Sequence, residues 1–107
     1  LRKALKETSL HAFLLIQHMD KTNIEFMKNY LKLMEENIND ISKEHYALLK
    51  DRVLIYDNKK QLYGTQLIFD KYTQRYIPKE VQNSSELNRR RKELGLSTIE
   101  SYVRELN

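Results

Sequence analysis

The sequence predicts a mainly α fold: a helical bundle of three helices, a β-hairpin packed on it, and two short C-terminal helices. Three observations point that way. Apolar residues recur at spacings of three and four through the first half of the chain. From Gln61 that pattern gives way to aromatic and β-branched residues. Beyond residue 82, the stretches "NSSE" and "STIE" read as capping boxes that reopen helices.

The first helix is read from "LRKALKETSLHAFLLIQHMD", which contains good helix formers and neither Gly nor Pro. Leu5, Ala12, Leu15, Ile16 and Met19 share one broad face, widened by Phe13 and Leu14. A helix apolar on most sides belongs in the middle of a bundle. The second helix opens after "DKTN", and Ile24, Met27, Leu31, Met34 and Ile38 draw its stripe, thickened by Phe26, Tyr30 and Leu33. The third starts at Ser42, a good N-cap, with Ile41 and Tyr46 placed as a hydrophobic staple. Tyr46, Leu49, Val53 and Tyr56 carry its stripe to the turn-like "DNKK".

"QLYGTQLIF" and "TQRYIP" then read as two strands joined at the polar tip "DKY" by a loop of about three or four residues. Pro78 closes the second strand. A lone hairpin is marginal in water, so it is expected to lie against the helices. The capping boxes run from Asn83 to Glu86 and from Ser97 to Glu100, and Gly95 stands where a left-handed C′ residue belongs.

Composition bounds the function classes. A chain of 107 residues is one domain, 1–107, with a single modest core. With 40% apolar and 32% charged residues it is not a disordered sequence. The net charge of +4 permits an anionic partner without demanding one, because acidic residues are interspersed with the basic ones. There is no cysteine, hence no disulfide framework and no thiolate zinc site. His11 and His18 stand two turns apart, roughly 10 Å along a helix axis, and cannot chelate one metal. No metal and no cofactor is expected. The longest apolar run, Ala12–Ile16, is far too short to span a bilayer. The chain opens on Leu1 rather than Met, so an N-terminal portion is expected to be missing. The cytoplasm is preferred as the compartment, with export compatible; oligomeric state is not legible.

Between these elements lies a set of motifs: Gln17-His18, Asp51-Arg52, Tyr63-Gly64-Thr65-Gln66, Pro78, then Asn88-x-Arg90-Arg91 leading to Leu94-Gly95-Leu96. In this order, across nearly the whole chain, they resemble an uncharacterised bacterial domain family of unknown function. The resemblance implies a further helical stretch before the apolar helix, which this chain lacks. It also implies an acidic residue before the Arg-Arg helix, where Asn83 stands. It implies no activity.

The motifs supply the candidate site residues. His18 could exchange protons near neutral pH, or could simply donate to helix-terminal carbonyls. Arg52 borders an apolar face and could anchor a carboxylate or phosphate, or form a salt bridge to Asp20, Asp51 or Glu44. "YGTQ" combines a phenol, a missing Cβ and an amide. It reads as a ligand ledge of Tyr63, Gly64, Thr65 and Gln66, or as a bulge or close helix crossing where only hydrogen fits at Gly64. "NRRRK" has the charge for nucleic acid, but consecutive helical positions splay apart and Glu86 and Glu93 are within pairing reach. A solvated, salt-bridged helix is the better reading.

The leading expectation is a polar pocket for a small anionic molecule or a peptide of a protein partner. It would lie where the first helix ends near the third helix and the hairpin. Arg52 would hold the anion, Gln66 and Tyr63 would orient the ligand, and His18 would be the proton-transfer group. A small hydrolase or transferase using His18 and Arg52 is the second reading. The third is a structural domain whose polar residues satisfy one another.

Overall fold

Helix caps set the order of the N-terminal half. The computed structural model describes Leu15, Ile16 and residues 18–107. Asp20 accepts from the Thr22 amide at 2.9 Å and caps a 3-10 turn, Lys21–Asn23, that feeds α1, Ile24–Glu36. After a second 3-10 turn, Ile38–Asp40, Ser42 caps α2, Lys43–Tyr56, by accepting from the His45 amide at 3.2 Å. Most of the expected first helix lies outside the described residues; Leu15 and Ile16 are helical and sit at its end.

The core forms where the stripes of α1 and α2 meet. Met27, Leu31 and Met34 pack with Tyr46, Leu49 and Val53, and Ile16 joins them at 1% exposure. Ile24, Ile38, Ile41 and Tyr56 pack partly buried against this cluster. Phe26 and Leu33, expected to thicken the α1 stripe, are instead more than half exposed. Each directly precedes a buried methionine, and one residue is about 100° around a helix, enough to turn a side chain outward.

The predicted first strand is mostly a loop. Only β1, Leu67–Asp70, is extended, and it pairs antiparallel with β2, Arg75–Pro78, across a four-residue turn. Residues 62–64 bend instead, because buried side chains take the backbone groups that a neighbouring strand would otherwise bind. The hairpin reaches the rest of the fold through β2. The Asn107 side chain accepts from the Tyr76 amide at 2.8 Å and donates to its carbonyl at 3.0 Å, in the manner of a strand neighbour. Phe69 and Tyr76 meet edge to face, with ring centroids 5.3 Å apart, and both remain exposed.

A 3-10 turn, Ser84–Glu86, leads into α3, Leu87–Glu93, and α4 runs Ile99–Leu106. Neither predicted capping box forms. Asn83 takes a left-handed backbone, φ 42°, and makes no side-chain cap bond. At α4 the cap is Thr98, which accepts from the Ser101 amide at 3.2 Å. Ser97, one residue earlier, gives its carbonyl to Arg91, and Glu100 accepts from the Asn88 side chain at 3.0 Å. Gly95 behaves as expected: φ is +72°, and the Gly95 and Leu96 amides donate to the Lys92 and Arg91 carbonyls, both at 2.9 Å. That is a Schellman closure.

The described fold is thus mainly helical, with four helices and one two-stranded antiparallel hairpin. Among the described residues no helix is long and apolar enough to cross a membrane.

Candidate functional site

The candidate site is built around the loop Gln61–Gln66, which is held by side chains from three directions. Asp51, on the inner face of α2, is fully buried. Its Oδ1 accepts from the Leu62 and Tyr63 amides at 2.8 and 3.0 Å. Its Oδ2 accepts from the Thr65 amide at 3.0 Å and from Thr65 Oγ1 at 2.6 Å. A carboxylate that meets this many donors is satisfied despite complete burial.

From the opposite side, the arginines of α3 bind the same loop's carbonyls. Arg91, 2% exposed, donates from Nη1 to the Tyr63 carbonyl and from Nε to the Ser97 carbonyl, each at 2.6 Å. Arg90 donates from Nε to the Leu62 carbonyl at 2.8 Å and from its other nitrogens to the Gln82 and Asn83 carbonyls. Gln61, also fully buried, works from within the loop. Its Oε1 accepts from the Gln66 amide at 2.9 Å, while its Nε2 donates to the Gln66 and Lys79 carbonyls at 3.0 and 2.8 Å. Apart from Gly64, each residue of the loop thus has its backbone amide and carbonyl bonded, as in a sheet but without one.

The closest approach at Gly64 comes from this chain. Gly64 has φ +73°, and a Cβ built there would stand 2.8 Å from Ile99 Cδ1 and 3.5 Å from Leu87 Cδ2. The missing Cβ is explained by a helix crossing, the plainer of the two readings of that glycine.

Below this loop lies a cavity of about 180 Å³. Thr65 and Arg91 line its buried side, together with Tyr102 of α4. The Arg91 Cζ stands 4.8 Å from the Tyr102 ring centroid, and the Tyr102 hydroxyl donates to the Thr65 carbonyl at 3.5 Å. Ala47, Leu48 and Leu96 supply apolar wall, and the exposed carboxylates of Glu44 and Glu105 complete the lining with Ser97. Burial pushes the Arg91 guanidinium below its ordinary value, with Tyr102, Asp51, Glu100 and Glu44 pulling the other way. An arginine nevertheless stays protonated. Burial raises the Tyr102 phenol, and Arg91 opposes that. Among the described residues, Arg91 Nη2 has no hydrogen-bond partner.

The sequence-derived candidates divide. Tyr63, Gly64, Thr65 and Gln66 are contiguous in the pinned loop, and Thr65 alone of them lines the cavity. Gln66 Nε2 donates to the Leu48 carbonyl at 3.4 Å and to Thr65 Oγ1 at 3.2 Å. Tyr63 is half-buried with its ring 6.2 Å from that of Tyr46, and burial, then Asp51, raise its phenol. His18 is exposed, after the turn in which its amide donates to the Leu15 carbonyl. Arg52 is half-buried and pairs with none of Asp20, Asp51 or Glu44; neither it nor His18 lines this cavity.

Of "NRRRK", the expected solvated pairing holds for Arg89, which bridges Glu86 and Glu93. Arg90 and Arg91 turn inward, and the sequence reading missed both. The available signal was spacing: Arg91 follows the buried Leu87 by one turn, as Asp51 follows the buried Ala47. Among the described residues no cluster of His, Asp or Glu could hold a metal ion.

Comparison with curated proteins and with solved structures gives no match. A protein-family model does match, over residues 3–107, and its description is "Family of unknown function (DUF6624)". That covers nearly all of the sequence, so the chain belongs to this family of unknown function.

Proposed function

We propose that the protein binds a small ligand in the cavity formed by α2, the Gln61–Gln66 loop and the two C-terminal helices. One observation carries the reading. Arg91 is almost completely buried and bound through Nε and Nη1 to backbone carbonyls, yet it lines an open cavity with Nη2 unpartnered among the described residues. A guanidinium in that position is pre-organised for an oxygen acceptor, because its bonds to the Tyr63 and Ser97 carbonyls already fix its plane. The volume suits a ligand of several heavy atoms, being close to the ~150 Å³ that accommodates a benzene ring.

In this reading Asp51, Gln61 and Arg90 are the positioning residues of the loop, Tyr63 and Gln66 shape it, and Thr65 and Tyr102 face the ligand. The N-terminal segment as the first member of a three-helix bundle belongs to the same proposal. So does His18 or Arg52 contacting a ligand that extends beyond the cavity.

The test is an NMR titration of the 15N-labelled protein with propionate and benzoate to millimolar concentration. The reading expects shift changes concentrated at Thr65, Ser97 and Tyr102, and loss of those changes in Arg91→Lys, where the planar fork is gone. Changes confined to the surroundings of His18 and Arg52 would instead favour the site expected from sequence.

A further inference from the structure

We infer that the ligand is a small zwitterion carrying one carboxylate and one ammonium group, of the size of a free α-amino acid. The inference rests on the cavity proposed above and concerns its charge pattern. The lining presents one buried cation, Arg91, and two exposed carboxylates, Glu44 and Glu105. Among the described residues neither carboxylate has an ion-pair or hydrogen-bond partner. Glu44 is nonetheless close enough to act electrostatically on both Arg91 and Tyr102.

Each simpler ligand meets an opposing charge. A plain anion drawn to Arg91 would have to sit among two carboxylates, and a plain cation drawn to the carboxylates would meet a guanidinium that cannot give up its proton. Beside the buried Arg91 guanidinium such like-charge contacts weigh more than in bulk water, while at the two exposed carboxylates solvent screens them in part. A molecule with both charges answers both ends: its carboxylate takes Arg91 Nη2, and its ammonium sits between Glu44 and Glu105. The remaining wall, Ala47, Leu48 and Leu96, is apolar and suits a short side chain. The cavity of about 180 Å³ is below the ~300–1,000 Å³ of sites for drug-sized ligands, so the part of a ligand held inside it is small.

The experiment is calorimetric and NMR titration at pH 7 with each of the twenty common amino acids, and with propionate and propylamine as half-ligands. The full 107-residue chain is used, with the variants E44Q/E105Q and R91K. Both glutamates are exposed, so the double variant is expected to fold as the parent does, which circular dichroism checks. At least one amino acid should bind tenfold or more tightly than either half-ligand. E44Q/E105Q should weaken it at least tenfold while leaving propionate unchanged or stronger. If propionate binds as well as any amino acid and E44Q/E105Q changes nothing, the cavity is a plain anion site, and the zwitterion is overturned while ligand binding stands. If propylamine binds best, the zwitterion is likewise overturned. If no probe moves Thr65, Ser97 or Tyr102, both inferences fail together.

Discussion

Thr65 gives both its amide and its hydroxyl to the same oxygen of Asp51, at 3.0 and 2.6 Å, across fourteen residues of sequence. That double bond-pair ties the loop to the middle of α2, and the Leu62 and Tyr63 amides complete it. Replacing Asp51 by Ala leaves these buried donors without an acceptor and should cost about 3–5 kcal/mol, a large share of a small domain's stability. Asp51→Asn keeps the shape but turns one acceptor into a donor, and should cost about 1–3 kcal/mol. Urea unfolding followed by circular dichroism measures both. Near-wild-type stability for Asp51→Ala would contradict the role given to this carboxylate.

The two glycines should respond differently to the same change. At Gly95 an added methyl meets nothing within 4 Å, so Gly95→Ala should cost only the left-handed strain of about 1–2 kcal/mol. Gly64→Ala carries the same strain and also presses on Ile99 Cδ1 at 2.8 Å. It should be the more destabilising of the two, and Gly64→Ala/Ile99→Val should recover part of the difference. Equal losses at both sites would mean that the Ile99 contact does not matter.

The three consecutive arginines rank by where their forks end. Arg89→Ala removes only exposed ion pairs to Glu86 and Glu93 and should change stability least of the three. Arg90→Ala exposes partly buried carbonyls and should cost about 1–2 kcal/mol. Arg91→Ala removes a side chain that is 2% exposed and takes the donor from the Tyr63 and Ser97 carbonyls, and should cost most, about 3 kcal/mol or more. Equilibrium denaturation of the three variants gives the order directly, and Arg89 ranking first would overturn it.

Much of this arrangement was legible in the sequence, and the illegible part has a common cause. The stripes of α1 and α2, the Ser42 cap, the short hairpin turn, the second strand closed by Pro78 and the Gly95 stop follow from local rules, and local contacts realise them. Residues 61–66 read as strand because Tyr63 and Thr65 favour one. What bends them is side chains arriving from Asp51 and Arg91, which are distant in sequence. The α4 cap stands at Thr98 rather than Ser97, whose carbonyl accepts from Arg91, six residues earlier. At the site, Thr65 could be found from its motif, whereas Arg91 was hidden inside a run of like charges. Only its one-turn spacing from Leu87 distinguished it.

Acid should weaken the fold in two steps. Burial holds the His45 imidazole below its ordinary value of 6.5, with Glu44 opposing. A base with a depressed folded value favours the fold while neutral, so its contribution is complete above pH 6.5 and is lost as pH falls through that lower value. Asp20, Asp57, Glu86 and Glu100 are also held below their ordinary values, the first by Thr22, the second by Lys28, the third by Arg89 and the last by Asn88. Their contribution is present above the usual carboxylate range and disappears at lower pH, and added salt should shrink it for the exposed ion pairs. Urea midpoints from pH 8 to 3 should show both declines, with His45→Gln removing the upper one. Stability that rises between pH 7 and pH 5 would contradict this sign.

The central claim is that the Gln61–Gln66 loop is a rigid wall, set by Asp51 from one side and Arg91 from the other. Amide hydrogen exchange at Leu62, Tyr63 and Thr65 tests it most directly. All three should exchange as slowly as the core amide of Val53, through global unfolding, and in Asp51→Asn they should lose at least tenfold more protection than Val53 does. Rapid exchange of these amides in the unaltered protein would show a loop that opens on its own, and the account of the cavity would fail with it.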